Sequence, residues 1–432
     1  MTGSMYAAIA GLRTHMQNLN VIGNNIANVN TQSYKSARSV FKTAIYTTLS
    51  GGSDGTTVSG GKNPSQIGYG ANMGSVDIDM STGNYSVTGN ATDMMLDGDG
   101  FFLMGDKDIA DTFDGSNGDV SKLTSLTLTR LGNFGFKADG YLTNNDLCVY
   151  GFMCIGVWGD ANHTAIEPPH EAGDPIFRDQ LVPIRFPGVM MTTKYYDANN
   201  EEVTITDDMD EAALAGLTAK QVPVIAYATT GENNTGKLQD AYYYVDENGN
   251  TVPANEDGTM PEGATKVLYP KAQFTGITVN EKTGLITGRS NDTKEIVTIG
   301  CIAVGQVTNP NGVTQIGSSY YTAGDGSGDL TISILGGGGE ELGISYVNGS
   351  LTQARATGED QDDENVTVQY ADGMRVRSGG DTSILSNGLE MSKTDLAQEI
   401  ANMIVTQRGY QANTRIITVT DSMLEELVNM KR

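Results

Sequence analysis

The stretch NNIANVNTQSYK, Asn24 to Lys35, decides how the rest of the chain is read. It follows an apolar pattern with helical spacing, at a point where a chain that simply turns back would carry a Gly stop. Instead, Asn24, Asn25, Asn28 and Asn30 fall within seven residues. Asn competes with helix backbone bonds and favours caps and turns, so the run marks a helix end. Two uses for these amides are open. They can close the helix as a C-cap cluster, or offer donors and acceptors to the backbone of a neighbouring copy without adding charge.

Working outward, the residues before this run place Met5, Ile9, Leu12, Met16, Leu19 and Ile26 at steps of four and three, with Gly23 at the missing step. That is the a/d spacing of a heptad seam. At the other end, Leu396, Ile400, Met403, Tyr410, Ile417, Leu424 and Val428 repeat it, interrupted by Gln407, Thr414 and Asp421. Ser392 and Asp395 read as an S-x-x-D start, with Asp395 and Glu399 in the first turns and Lys431 and Arg432 at the close. Both ends therefore read as long helices.

Neither helix is expected to stand alone. Ordering about 25 residues costs roughly 1–2 kcal/mol each, whereas six or seven seam side chains return about 1.5–3 kcal/mol apiece when buried. Each arm needs a partner. The period fits a two-helix hairpin closing a domain as well as it fits a seam between copies. The polar interruptions point to the second, since polar seam residues set register at a cost in stability. Charge permits pairing: no Asp or Glu precedes Asp54, and Arg13, Lys35, Arg38 and Lys42 make the first arm basic.

Composition bounds the remainder. The chain has 432 residues, room for two to four domains, and its 54 Gly with 7% aromatics suits many short strands and turns. A formal charge of -25 argues against a nucleic-acid or anionic membrane surface. No run approaches the 18 or so apolar residues of a membrane span. Cys148, Cys154 and Cys301 cannot all pair and give no zinc spacing, and His15, His163 and His170 are scattered. The first residues show no basic leader with a compact apolar core, so the expectation is either a cytoplasmic protein or export without a cleaved signal.

Catalytic signatures are missing from the sequence. There is no P-loop or H-E-x-x-H pair. LDGDGFF (Leu96–Phe102) reads as a turn into a strand, GGGGEE (Gly336–Glu341) lacks the basic residue of a phosphate cradle, and GEDQDDENVTVQY (Gly358–Tyr370) reads as a solvated acidic loop without calcium-ligand spacing. No enzyme activity, cofactor, catalytic residue or metal site is expected.

The ends and the middle together carry a resemblance. GNNIANVNTQSYKS and LAQEIANMIVTQRGYQANTRIITVTDSMLEELVNMKR resemble the two terminal signatures of the flagellar axial protein family of rod, hook and junction proteins. The matching positions are Asn24, Asn25, Ala27, Asn28, Asn30, Thr31 and Tyr34 at one end and Gln407, Arg408, Tyr410 and Asn413 at the other. The family usually has Gly where this chain has Ser33. NPSQIGYGANMGSVDIDMSTGNYSVTGNATDMMLDGDGFFLMGD, LTRLGNFGFKADGYLTNNDLCVYGF and IGCIAVGQVTNPNGVTQIGSSYYTAGDGSGD resemble the β-rich core of hook and distal rod proteins.

The expected fold is mainly β with long terminal α-helices and nested, discontinuous domains. These are a helical inner domain (1–30 and 386–432), a Gly/Ser-rich linker (31–70) ordered only in an assembly, a β-rich core (71–187 and 274–385) and an inserted β domain (188–273). The insertion carries fourteen acidic residues against five Lys and has hairpin signals at YDANNEEVTIT and DENGNTV. KADGYL is a further turn signal, its Gly accepting positive φ.

Length and insertion favour the hook type over the distal rod type. The resemblance then implies a homopolymer forming a flexible tube, with rod, hook-cap and hook–filament junction proteins as partners and export through the flagellar apparatus. The residues expected to carry polymerisation are Met5, Ile9, Leu12, Leu19, Ile26, Leu396, Ile400, Met403, Tyr410, Ile417 and Leu424. A monomeric cell-surface β protein that binds a ligand, with its two helices paired to each other, is the rival of a different class.

Overall fold

The computed structural model describes residues 2–55, 57, 60–107, 126–157, 173, 175–197, 202–203, 217–230, 238–247, 250–253, 260–261, 263–281, 283–324, 326–328, 330–334 and 382–430. The chain divides into two compact units. One joins Met1–Asn84 to Met391–Arg432, and the other is Tyr85–Glu390.

The first unit holds both terminal helices, α1 (Thr2–Ala27) and α2 (Leu396–Met430). α2 starts on Asp395, whose carboxylate accepts the N–H groups of Ala397 (2.9 Å) and Gln398 (3.2 Å). Ser392, expected to share in that start, bonds instead to Thr394. Between the helices in sequence runs an antiparallel ribbon. Ala37–Thr43 pairs with Ala71–Ile78, and Tyr46–Ser50 pairs with Ser65–Gly68. The Ala44 N–H to Gly70 and Tyr69 N–H to Ile45 hydrogen bonds make the two pairings continuous. This corrects the expectation of a linker over 31–70. The Gly/Ser content of 51–61 hid the Val, Phe, Ile, Tyr and Leu of residues 40–49, which suit a pleated surface.

The second unit is built on one large sheet in which residues from before and after the insertion pair with each other. Leu147–Val157 lies against Ile296–Val307, and that strand also pairs with Phe101–Gly105. The core is drawn from both halves, with Leu96, Phe102, Met104, Leu142, Val149, Ile286, Ile302 and Ile384 fully buried. KADGYL forms its turn: Gly140 has φ +82°, and its N–H donates to Lys137 O (2.9 Å). Asp97 to Gly100 turns into the strand Phe101–Gly105, as expected for LDGDGFF.

Residues of the insertion form small sheets of their own. Gly188–Tyr196 pairs with Thr218–Ala226 and Glu202–Val203, and Tyr242–Val245 pairs with Thr251–Val252 and Thr265–Leu268. Both hairpin signals thus give hairpins. Cys148, Cys154 and Cys301 are free and buried; burial pushes the Cys301 thiol up to about 12, which keeps it protonated. Gly336–Glu341, Gly358–Tyr370, His163, His170, Lys431 and Arg432 lie outside the described residues.

Candidate functional site

The two helices pair within one chain, and they do so through polar and small residues. Asn18 Nδ2 donates to Thr406 Oγ1 (2.9 Å) and Asn25 Nδ2 to Glu399 Oε1 (3.2 Å). Gly11 lies opposite Asn413, and Gly409 lies opposite His15. A Cβ on either Gly would come within 2.7 Å of the facing side chain. As the α1 number rises from 11 to 25, the α2 number falls from 413 to 399, so the helices are antiparallel. Of the two arrangements that the period left open, the structure has the intramolecular one.

The row that meets α2 is displaced by one position from the apolar row read in the sequence. Gly11, His15, Asn18 and Asn25 face α2, with buried Ala8 and Ile22 in step with them. Met5, Ile9, Leu12, Leu19 and Ile26 are half-buried, while Met16 is 51% exposed. On α2, Met403, Ile417 and Leu424 are half-buried, but Leu396, Ile400 and Tyr410 are exposed. The polar spacing of four, three and seven at Gly11, His15, Asn18 and Asn25 was visible, but a search for apolar periodicity passes over it.

α1 is also held by the ribbon. Asn18 Oδ1 accepts from Ser39 Oγ (2.6 Å), Thr14 Oγ1 donates to Ala71 O (2.9 Å), and the His15 and Phe41 rings meet edge to face at 6.0 Å. Asn25 is 1% exposed and fully engaged. Besides Glu399, its Nδ2 donates to Ala37 O (2.8 Å), and its Oδ1 accepts from Ala37 N–H (3.0 Å) and the Tyr34 hydroxyl (3.0 Å). The side-chain amide therefore pairs with the Ala37 peptide group as a neighbouring strand would. Burial, with the Glu399 carboxylate adding to it, raises the Tyr34 phenol, so it stays protonated and able to donate.

The remaining amides close the helix. Asn28 Nδ2 donates to Asn24 O (2.9 Å), Asn24 Nδ2 donates to Tyr34 Oη (3.0 Å), and Thr31 Oγ1 donates to Asn28 Oδ1 (3.1 Å). Asn24, Asn25 and Asn28 all bond within their own chain. Ser33, where the family usually has Gly, is buried with φ +55°, a left-handed conformation that favours Gly. Of the other motif residues, Asn413 lies in the seam, whereas Ala27, Asn30, Thr31, Gln407 and Arg408 are exposed.

Beside this seam the turn after α1 meets the chain's passages to and from the β-rich residues. Lys35 Nζ donates to Ser81 O (2.7 Å), Lys393 N–H donates to Tyr34 O (3.0 Å), and Met391 N–H donates to Asn84 O (2.8 Å). Hydrogen bonding from Ser81 holds the Asp79 carboxyl below its usual range against its burial, and Lys393 and Lys35 add to the effect.

What the seam leaves uncovered includes a row of apolar side chains. Val405, Ile416, Val419, Met423, Leu427 and Met430 recur at helical spacing on the outside of α2, Val405 at 71% and Met430 at 75% exposure. The ribbon adds Ile45, Leu49 and Ile67, all exposed. Among the described residues no group of three or more His, Cys, Asp or Glu is arranged to hold a metal ion. No described helix is long and apolar enough to cross a membrane.

Comparison with known proteins places both ends of the chain. Residues 5–35 match the family model described as flagella basal body rod protein, and residues 385–430 match that of the flagellar basal body rod FlgEFG protein C-terminal region. Over its full length the chain is 27% identical to the flagellar hook protein FlgE of Borreliella burgdorferi and 26% identical to the flagellar basal-body rod protein FlgG of Bacillus subtilis, each covered completely. It is 25% identical to the FlgE of Treponema pallidum, again with complete coverage of both chains. Among solved structures, the flagellar hook protein FlgE2 of Helicobacter pylori matches 56% of this chain and 94% of its own at 12% identity. Its TM-score is 0.24, a level at which whole chains do not superpose.

Proposed function

We propose, from the premise that this chain is a member of the flagellar rod and hook protein family, that it is the structural subunit of a bacterial flagellar hook. It polymerises into a hollow, bendable tube that joins rod to filament and passes on motor torque. The observation that carries this reading is the division of labour on the terminal helices. Polar and small residues hold α1 to α2 within the chain, while the outer row of α2 and the ribbon keep large apolar side chains in water. Monomeric proteins rarely expose contiguous apolar surface on this scale, and a repeating head-to-tail contact covers it in a polymer.

In this role the half-buried residues Met5, Ile9, Leu12, Leu19, Ile26, Met403, Ile417 and Leu424 support the pair from its flanks. Leu396, Ile400 and Tyr410 join the outer row in meeting other copies. The subunit is a structural element rather than an enzyme. Its neighbours along the axis are rod, cap and junction proteins, and it leaves the cell through the flagellar export apparatus.

The test is negative-stain electron microscopy of the full-length chain in rising sulfate, which strengthens apolar burial, beside a chain lacking residues 1–35 and 389–432. Curved tubes from the full-length chain alone are expected. Straight tubes would favour the distal rod type, a second reading that the full-length similarity to a basal-body rod protein supports. A full-length chain that stays monomeric even when seeded with preformed hooks would overturn both.

A further inference from the structure

The inserted residues leave and rejoin the core through two adjacent strands, and a single carboxylate touches both. The chain goes out along 185–188 and returns along 270–272. Gly188 bridges to Lys271, Val189 N–H donates to Pro270 O (2.8 Å), and Ala272 N–H donates to Pro187 O (2.9 Å). Asp240 stands just before the inserted strand Tyr242–Val245. Its Oδ1 accepts from Arg185 Nε on the outgoing strand, and its Oδ2 accepts from Lys271 Nζ on the returning strand at 2.6 Å.

The rest of the neck is packed but small. Phe186 stacks on Phe136 with ring centroids 4.1 Å apart and lies 4.9 Å from Phe274. The insertion otherwise reaches the core through two small apolar clusters, Ala228 with Met153 and Val182, and Ile225 with Ala272 and Val297. A two-stranded ribbon twists readily. Val189 packs beside Ala272 in the second cluster and spans it by apolar contact, whereas a carboxylate shared between cations on the two strands spans it with directed bonds.

We infer that Asp240 is a positioning residue, an ionic clasp that fixes the angle of the inserted sheets on the core by gripping Arg185 and Lys271 together. Without it, two mostly buried cations on neighbouring strands face each other unscreened. In a tube that bends as it turns, the clasp sets where the outer surfaces meet. That consequence rests on the hook reading, whereas the clasp itself does not.

The other charged and titratable groups at the neck are Tyr141, whose ring lies under Arg185 (5.9 Å) and Lys107 (4.6 Å), and Asp139, which pairs with Lys107. Burial alone would raise the Asp240 carboxyl, but Arg185 and Lys271 outweigh it and hold it below the usual carboxylate range. Burial draws the Lys271 ammonium down, and Asp240 opposes that. The Asp240 carboxyl is therefore ionised at neutral pH.

The experiment uses the unassembled full-length chain, so its result is independent of whether tubes form. Met191→Cys in the insertion and Gln315→Cys in the core, both exposed, take spin labels, and the three native thiols are buried. Pulsed dipolar spectroscopy should give one narrow distance distribution at pH 7. Its width should about double in Asp240→Ala and Asp240→Asn and recover in Asp240→Glu, as expected when a local brace is lost from an otherwise folded domain. Lys271→Met, which keeps the stem and removes the charge, should broaden it as well and decides the matter if Asp240→Ala also lowers the core's melting temperature. An unchanged distribution in Asp240→Asn and Lys271→Met would overturn the proposal.

Discussion

Residues 85–390 bury Phe101, Phe102, Met104, Leu128 and Ile302 in a sheet-based core, whereas the unit made from the two chain ends buries only Ala8, Ile22, Tyr34 and Met80 among its described apolar residues. The same contrast holds at the surface. Among the described residues, exposed large apolar side chains are sparser in the β-rich unit than along α2, where they follow one another from Leu396 to Met430. The lesson concerns what each unit is finished for. The β-rich unit closes its own core, while the helical unit makes a polar, shape-specific joint and leaves its apolar area for something outside the chain. Polar joints suit that role because they select one register at little gain in stability.

Substitutions can break this contrast or sharpen it. Phe102→Ala in the sheet should destabilise the β-rich unit by about 3–5 kcal/mol, read by calorimetry, with the helical circular dichroism at low temperature retained. Loss of helix together with the core would show the two units to be one cooperative block and remove the distinction.

Asn25→Ala comes next. It strands the Ala37 peptide and the Tyr34 hydroxyl, at a cost of roughly 2–3 kcal/mol. Hydrogen exchange should speed up over residues 5–28 while the protection of Ile302 and its neighbours stays as it was. Unchanged exchange in α1 would mean that the seam is not held by its polar bonds.

On the outside of α2 the expectation reverses. Val419→Ser with Met423→Ser should leave monomer stability within about 0.5 kcal/mol and raise the critical concentration for tubes by about tenfold or more. A pelleting assay across concentration measures this, and unaltered assembly would remove α2's outer row from the polymer contact.

The smallest effect is a pH dependence at Asp79. Its carboxyl is depressed in the folded chain, so it contributes stability above the unfolded value of about 3.9 and loses it as pH falls through the folded one. Exchange of the Lys393 amide, corrected for its intrinsic rate, should therefore quicken only in acid, and Asp79→Asn should abolish that dependence.

Much of this was legible in the residues. Spacing of four and three located both helices, KADGYL and DENGNTV located hairpin turns, and the run from Asn24 to Asn30 marked a helix end. The site was legible in its place but not in its contacts. Apolar periodicity pointed to Met16, Leu396, Ile400 and Tyr410, which are exposed, and passed over Asn18 and Thr406, which are in the joint, and Thr14, which ties α1 to the ribbon. Polar side chains carry no periodic signal of burial until their partners are known. The ribbon from Ala37 to Ile78 was missed because composition averages over a Gly-rich tip and the strands on either side of it.

The sequence by itself determined the local alphabet: which segments coil, which alternate, where the chain must turn, and which family the two ends resemble. The first three follow from short-range sterics and side-chain spacing, and the resemblance rests on the terminal motifs. Tertiary structure alone decided that Asn25 would pair with Ala37 and Glu399, that α1 would meet α2 through Gly and amide groups, and that Asp240 would stand between Arg185 and Lys271. Those contacts join residues from twelve to several hundred positions apart. Which polar group is satisfied, and by whom, is a property of the folded arrangement rather than of any window of the chain.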